Sequence, residues 1–327
     1  MNLVGVDVDS KLLVCRIRRS GGTVSTKSFN NSPAGYKKFI QWATQRQQTA
    51  RVCLEATGVY SMPFALALHQ AEAIDVMVAN PRAIKQFAGA SLQRGKTDAL
   101  DAAVILEYLS RMPFHPWRPP AKEIQELQLI TRRIRQLDTE RTRERNRQKA
   151  ALRLGAVGQI IVNDTQVNIK HIERRISRLE SAALKLVNAT PEHAVRLDLL
   201  KSVTGIADKS GMRLLAELAC LPSDMRAPQW VAHAGLDPRP YESGSSTNKP
   251  RRITKAGNRY LRDALYMPAQ VASQKDPHVS AYYNALLNRG KKPMQAIVAV
   301  MRKLLICIWG MFKHDQYWAG EKFYKIA

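Results

Sequence analysis

The order of apolar patterns over the first hundred residues constrains the fold more than any other feature of the chain. Three β-rich runs come first, at Leu3–Val8, Leu12–Ile17 and Thr23–Phe29, with Gly21-Gly22 marking a hairpin turn before the third. Helix and strand then alternate. Ser32-Pro33 opens a helix, with proline at its first position, that the pattern extends to about Gln47. Arg51–Glu55 reads as a short strand closed by Gly58, Tyr60–Ala71 as a helix, and Ile74–Val78 as the next strand. Asn80-Pro81 caps another helix, and Thr97 caps one that reaches about Arg111.

Three antiparallel strands followed by βα units is the order of an RNase H-like fold. Prolines 113, 116, 119 and 120 then punctuate the chain, which sets a first domain at residues 1–118. Beyond them Ile124, Leu127, Ile130, Ile134 and Leu137 keep a heptad step, as do Ile172, Ile176, Leu179, Ala183 and Leu186. Residues 119–188 therefore form a helical coiled-coil connector, turned near Gly155 and Gly158. Heptads identify a seam and not its partner, so an intramolecular hairpin and an oligomerisation arm both fit. From Pro191 the chain reads as helical throughout, giving a mostly α-helical domain at 189–327 and an α/β plus α fold class for the whole. Leu199–Ile206, ahead of the helical run Met212–Cys220, has the form of a glycine hairpin that offers N–H groups to phosphate, although its usual second glycine is Ala207.

Charge narrows the partners. Lysine and arginine total 51 against 27 acids, a formal charge of +24, which points to a polyanion. From Arg132 to Arg153 eight arginines and one lysine face three acids, so Arg141, Arg143, Arg145 and Arg147 are candidate phosphate contacts. Few aromatics interleave them, which favours backbone contact over base stacking. The most apolar stretch, Ala296–Phe312, is interrupted by Arg302 and Lys303 and reads as too short to span a bilayer. The chain opens directly on a strand, without a signal peptide, and its four cysteines lack zinc or redox spacing. These features predict a cytoplasmic protein with no membrane partner.

Four acids stand out. Asp7 interrupts the apolar strand Val6-Asp7-Val8, where an unpaired carboxylate is costly. Glu55 ends a later strand. Asp98 and Asp101 are three apart at a helix start and share one face. Oxygen-only ligands suit Mg²⁺ or Mn²⁺, and two such ions about 4 Å apart can stabilise both the attacking and leaving oxygens of a phosphodiester. Taken singly, Asp98 also reads as a helix-start acid and Glu55 as a surface residue. A second region, Tyr241-Glu242-Ser243-Gly244-Ser245-Ser246, is a Gly/Ser loop followed by Lys249, Arg251, Arg252, Lys255, Arg259 and Arg262. Spacing alone does not choose among Ser243, Ser245 and Ser246, and no histidine lies in the loop to pair with them.

Gly5-Val6-Asp7, Glu55-Ala56-Thr57-Gly58 and Lys96-Thr97-Asp98-Ala99-Leu100-Asp101 resemble the RuvC-like half of the DEDD transposases, the insertion-sequence-110 family, which includes pilin-gene invertases. Pro240–Ser246, Gly257, Leu265-Tyr266-Met267-Pro268-Ala269, Arg289-Gly290-Lys291-Lys292 and Met301-Arg302-Lys303-Leu304 resemble that family's C-terminal transposase domain. The resemblance implies that Asp7, Glu55, Asp98 and Asp101 bind metal and that Ser243 is the nucleophile. It further implies target and donor DNA, a structured noncoding bridge RNA that pairs with both, and a homo-oligomer, dimer or tetramer, whose active site is completed across protomers. The expected activity is DNA cleavage and rejoining through a 5′-phosphoserine link. The rivals are a RuvC-like Holliday-junction nuclease that uses water, needing the four acids but not Ser243, and a non-catalytic nucleic-acid-binding protein.

Overall fold

In the computed structural model, residues 1–58, 60–90, 97–239 and 252–326 are described, apart from the side chain of Arg46, with the backbone of 242–243 and 247–248. The chain forms two compact units, Met1–Pro119 and Pro120–Ala327.

The first unit contains β1 (Asn2–Val8), β2 (Leu12–Arg18), β3 (Val24–Asn30), α1 (Pro33–Ala43), β4 (Ala50–Glu55), α2 (Met62–His69), β5 (Ile74–Ala79), α3 (Pro81–Ala90) and α4 (Asp98–Arg111). Its sheet runs β3-β2-β1-β4-β5. The first three strands pair antiparallel, and β1, β4 and β5 pair parallel. This is the three-then-alternating arrangement that the sequence predicts. The period of two divides each strand between two cores. Val4, Val6, Val52 and Leu54 pack with Phe39 and Phe64 of α1 and α2. Leu3 and Cys53 pack with Ile84, Ile105 and Leu109 of α3 and α4. Both faces of the parallel part are thus covered, as parallel sheets require.

Local signals fix the helix starts. Ser32 accepts a hydrogen bond from the Gly35 N–H with Pro33 in the first turn, the Asn80 side chain accepts from the Arg82 N–H, and Thr97 accepts from the Leu100 N–H at 3.3 Å. Helix α1 ends at Ala43, short of the expected Gln47, because a 3-10 turn over Gln45–Gln47 replaces its last turn.

In the second unit α5 (Lys122–Leu152) and α6 (Gln159–Asn188) form a hairpin around a 3-10 turn at Gly155–Gly158. Gly155 has φ +59°, and a Cβ on Gly158 would stand 2.1 Å from the Ala151 carbonyl oxygen, so both turn glycines are needed. Ile134, Leu137, Ile172 and Ile176 meet in the hairpin seam, flanked by Ile130 and Leu179. The seam is therefore filled within one chain. Farther down, Ile124, Leu127, Ala183 and Val187 join the main core of the unit.

The rest of the unit comprises α7 (Pro191–Lys201), α8 (Asp208–Leu218), α9 (Ala227–Ala234), the two-residue strands β6 (Pro238–Arg239), β7 (Glu242–Ser243), β8 (Thr247–Asn248) and β9 (Arg252–Ile253), then α10 (Arg259–Lys275), α11 (Pro277–Asn288), α12 (Pro293–His314) and α13 (Gly320–Phe323). The expectation of helix throughout is corrected here, since β6 pairs with β9 and β7 with β8. Helix α10 begins at Arg259, and Lys255 ahead of it has φ +53°, outside the helical region. In the α7–α8 hairpin Gly205 has φ +95° and a Cβ there would meet the Pro268 carbonyl oxygen at 2.8 Å, so this glycine serves close packing on α10. Helix α12 has 22 residues, long and apolar enough by length and composition to cross a bilayer, which corrects the view of this stretch as too short. It buries Val300, Leu304, Leu305 and Ile308 in the core of the unit.

Candidate active site

Asp7 lies on the central strand. Leu3 and Gly5 of the same strand face α4, and the alternation puts Asp7 on that face too. Glu55 follows Cys53 by two residues on the neighbouring parallel strand and shares the face. The strands pair through Val6 and Leu54, so Asp7 and Glu55 come one residue later on adjacent strands. Helix α4 reaches the sheet through Gly5: a Cβ there would stand 2.3 Å from the Leu106 nitrogen and 2.5 Å from the Ala102 oxygen. That close approach brings in Asp98 and Asp101, which occupy the first turn of α4, where the helix dipole favours acids.

The Asp7 carboxyl is pushed up to about 6, first by burial and then by the charges of Asp101, Asp98 and Glu55. Of the four acids named from the sequence, Glu55, Asp98 and Asp101 thus lie within electrostatic reach of Asp7. The four do not form a closed ligand set: among the described residues, no three of His, Cys, Asp and Glu stand close enough to hold a metal ion. Their donor chemistry, all oxygen, fits a hard divalent cation.

Ser243 lies in β7, where it pairs with Thr247 of β8. Its side chain, and Ser245, Ser246, Lys249 and Arg251, lie outside the described residues. The base of this loop is firmly tied. The strands β6 and β9 close it, the Thr254 hydroxyl donates to Asp237 Oδ1 at 2.6 Å, and the Asn258 N–H donates to the His233 carbonyl at 2.6 Å. A Cβ on Gly257 would stand 1.9 Å from the same His233 oxygen, so only glycine fits there.

Behind that base is a network that the sequence reading missed. Glu217 of α8 is 2% exposed. It accepts from Arg132 Nε and Nη2 at 2.9 Å each, from Gln128 Nε2 at 3.3 Å and from Asn258 Nδ2 at 2.7 Å. Nearby, Asp263 is held by Arg135 and Arg213. Burial pushes the Asp263 carboxyl up, but the two guanidiniums prevail and hold it below the ordinary carboxylate value. The signal for Glu217 was a lone acid in the apolar run Leu214-Leu215-Ala216-Glu217-Leu218, the same kind that marked Asp7.

The basic candidates divide. Arg252 and Lys255 are exposed, and Arg259 lies 4.9 Å from the Tyr260 ring centroid and donates to its hydroxyl. Arg141 pairs with Asp138, Arg145 with Glu173 and Arg147 with Glu144, leaving Arg143 exposed without an ion pair among the described residues.

Residues 4–155 match the family model of IS110-type DEDD transposases, and residues 197–284 match the Transposase IS116/IS110/IS902 family. The chain belongs to the IS110 family of transposases. Pilin gene-inverting proteins of Moraxella bovis and Moraxella lacunata are each 29% identical over 325 residues, covering 96% of both chains. An uncharacterised insertion element IS116 protein of Streptomyces clavuligerus is 26% identical, covering 95% of this chain and 91% of its own. Membership in the IS110 family makes the protein a DNA recombinase of the transposase class, with DNA as its substrate.

Proposed function

We propose that the chain is a site-specific recombinase that cuts and rejoins DNA through a covalent bond to Ser243. In this reading the Ser243 Oγ attacks a DNA phosphodiester. The new bond is Oγ–P, the broken bond is P–O3′, Oγ loses its proton and the leaving 3′ oxygen ends as a hydroxyl. The 5′-phosphoserine ester conserves the energy of the broken linkage, so rejoining to a new 3′-hydroxyl needs no ATP. Asp7, Glu55, Asp98 and Asp101 would hold Mg²⁺ or Mn²⁺, which when bound supplies Lewis-acid stabilisation of charge at the phosphate. The observation that supports the metal site is Asp7 on the central strand, within electrostatic reach of Asp101, Asp98 and Glu55. The family matches over both units support the proposal.

The loop contains no histidine to act as base, so the neighbouring Lys249, Arg251, Arg252, Lys255 and Arg259 are assigned to orient and neutralise the phosphate. A noncoding bridge RNA pairing with target and donor DNA would choose the sites. A homo-oligomer in which different protomers supply Ser243 and the four acids completes the proposal. The printed name of the Moraxella relatives, pilin gene-inverting protein, fits DNA rearrangement of this kind.

The test is a trapped protein–DNA adduct mapped by mass spectrometry. Wild-type protein should carry DNA 5′-linked to Ser243, and Ser243→Ala should bind DNA without cutting it. Cleavage by Ser243→Ala that leaves free 5′-phosphates would replace this reading with the water-using nuclease. An adduct on Ser245 or Ser246 would move the nucleophile.

A further inference from the structure

The helical hairpin carries its cations unevenly. On α5, three of the four arginines between 141 and 147 already face carboxylates. On α6 the balance is reversed. Between Lys170 and Lys185 the only acids are Glu173 and Glu180, and both are engaged, with Arg145 and Lys209. His171, Arg174, Arg175 and Arg178 follow one another at helical spacing on one face, away from the buried Ile172 and Ile176. They line an open depression of about 490 Å³. Among the described residues no ion pair engages Arg174, Arg175 or Arg178, and Arg174 and Arg178 are exposed.

We propose that this face of α6 binds the phosphodiester backbone of a nucleic-acid strand. A guanidinium fork matches phosphate geometry and accepts two oxygens at once. The face from His171 to Arg178 is about 10 Å long at 1.5 Å per residue, enough to follow a short run of consecutive phosphates. Residues 170–185 contain no Phe, Tyr or Trp, so the face has no stacking platform for bases. Its role is to set the register of the nucleic acid and not to read its sequence. The free arginines of α6, and not the ion-paired ones of α5, are then the electrostatic track of the hairpin. This inference rests on the reading of the chain as a nucleic-acid recombinase, but not on Ser243 or on the four acids.

The experiment compares two full-length triple variants, Arg174→Gln/Arg175→Gln/Arg178→Gln on α6 and Arg141→Gln/Arg145→Gln/Arg147→Gln on α5. Each is titrated with a fluorescent DNA duplex and, separately, with a single-stranded RNA, between about 50 and about 200 mM salt. The α6 variant should lose affinity, and its log–log salt slope should become shallower by about 2.7 with duplex DNA or about 2.1 with a single strand. The probe whose slope changes is the strand that occupies α6. Arg178→Gln alone should change the slope of that probe by about 0.9 if it is the duplex or about 0.7 if it is the single strand. Wild-type slopes with both probes, in an α6 variant of unchanged melting temperature, would overturn the proposal. So would an equal slope change in the α5 variant. Cleavage is not read, so failure of the nucleophile or metal assignments leaves this result interpretable.

Discussion

The Asn258 side chain holds two structures together: its Nδ2 donates to the buried Glu217 carboxylate at 2.7 Å, while its Oδ1 accepts from the N–H groups of Tyr260 and Leu261 at 2.9 and 3.2 Å. One residue thus caps α10 and ties the exit of the Ser243 loop to α8. Asn258→Asp separates these roles, because aspartate caps a helix as well as asparagine does but cannot donate to Glu217. The variant should lose about 1–3 kcal/mol at about pH 8 and cleave DNA more slowly. Thermal melting and cleavage rates at that pH check this, and a variant equal to wild type in both would detach the loop from Glu217.

Gly5 sets the distance between sheet and helix. Gly5→Ala places a methyl 2.3 Å from the Leu106 nitrogen and 2.5 Å from the Ala102 oxygen, both backbone atoms that cannot move without moving α4. Overpacking of this kind costs about 1–3 kcal/mol. Asp98 and Asp101 travel with the helix, so cleavage should fall by more than the unfolded fraction accounts for. Activity that tracks the folded fraction alone would show that the acids of α4 need no such precision.

Much of the first unit was legible because its signals are local. β-rich apolar runs named β1 and β4, the odd acid in Val6-Asp7-Val8 pointed to the candidate site, and Thr97 named the start of α4. The Glu217 network was not legible, since its partners are 85, 89 and 41 residues away along the chain. Charge counting also misled on α5. Two of its ion pairs, Arg141 with Asp138 and Arg147 with Glu144, are three residues apart and could be read as helix-surface pairs, whereas Arg145 meets Glu173 only once the hairpin closes. The heptads gave the seam but not its partner, and the partner proves to be the other arm of the same chain.

Asp7 makes stability depend on pH in a defined direction. Its carboxyl, about 6 in the fold against an ordinary 3.8, prefers the protonated form. Its contribution is fully present below the ordinary value and is lost as pH rises through about 6. Without divalent cation, Asp7→Asn should therefore melt higher than wild type at about pH 8, and the gap should close as the pH falls below about 6. Added Mg²⁺ should raise the melting temperature of wild type above that pH and leave Asp7→Asn unmoved, because cation and proton compete for the same oxygens. A Mg²⁺ response equal in both proteins would argue against Asp7 as a ligand.

The seam of the hairpin yields the last prediction. Ile176 is 3% exposed and packs with Ile134, Leu137 and Ile172 inside one chain. Ile176→Ala should cost about 2–5 kcal/mol through the cavity it leaves, and Ile176→Asp should cost more by burying an unpaired carboxylate. Both losses are intramolecular, so the melting temperature should not depend on protein concentration beyond what wild type shows. Light scattering on the folded fraction of Ile176→Ala should return the wild-type mass. A fall in mass without a fall in melting temperature would mean that the heptads pair between chains, with the hairpin opened in the assembled protein.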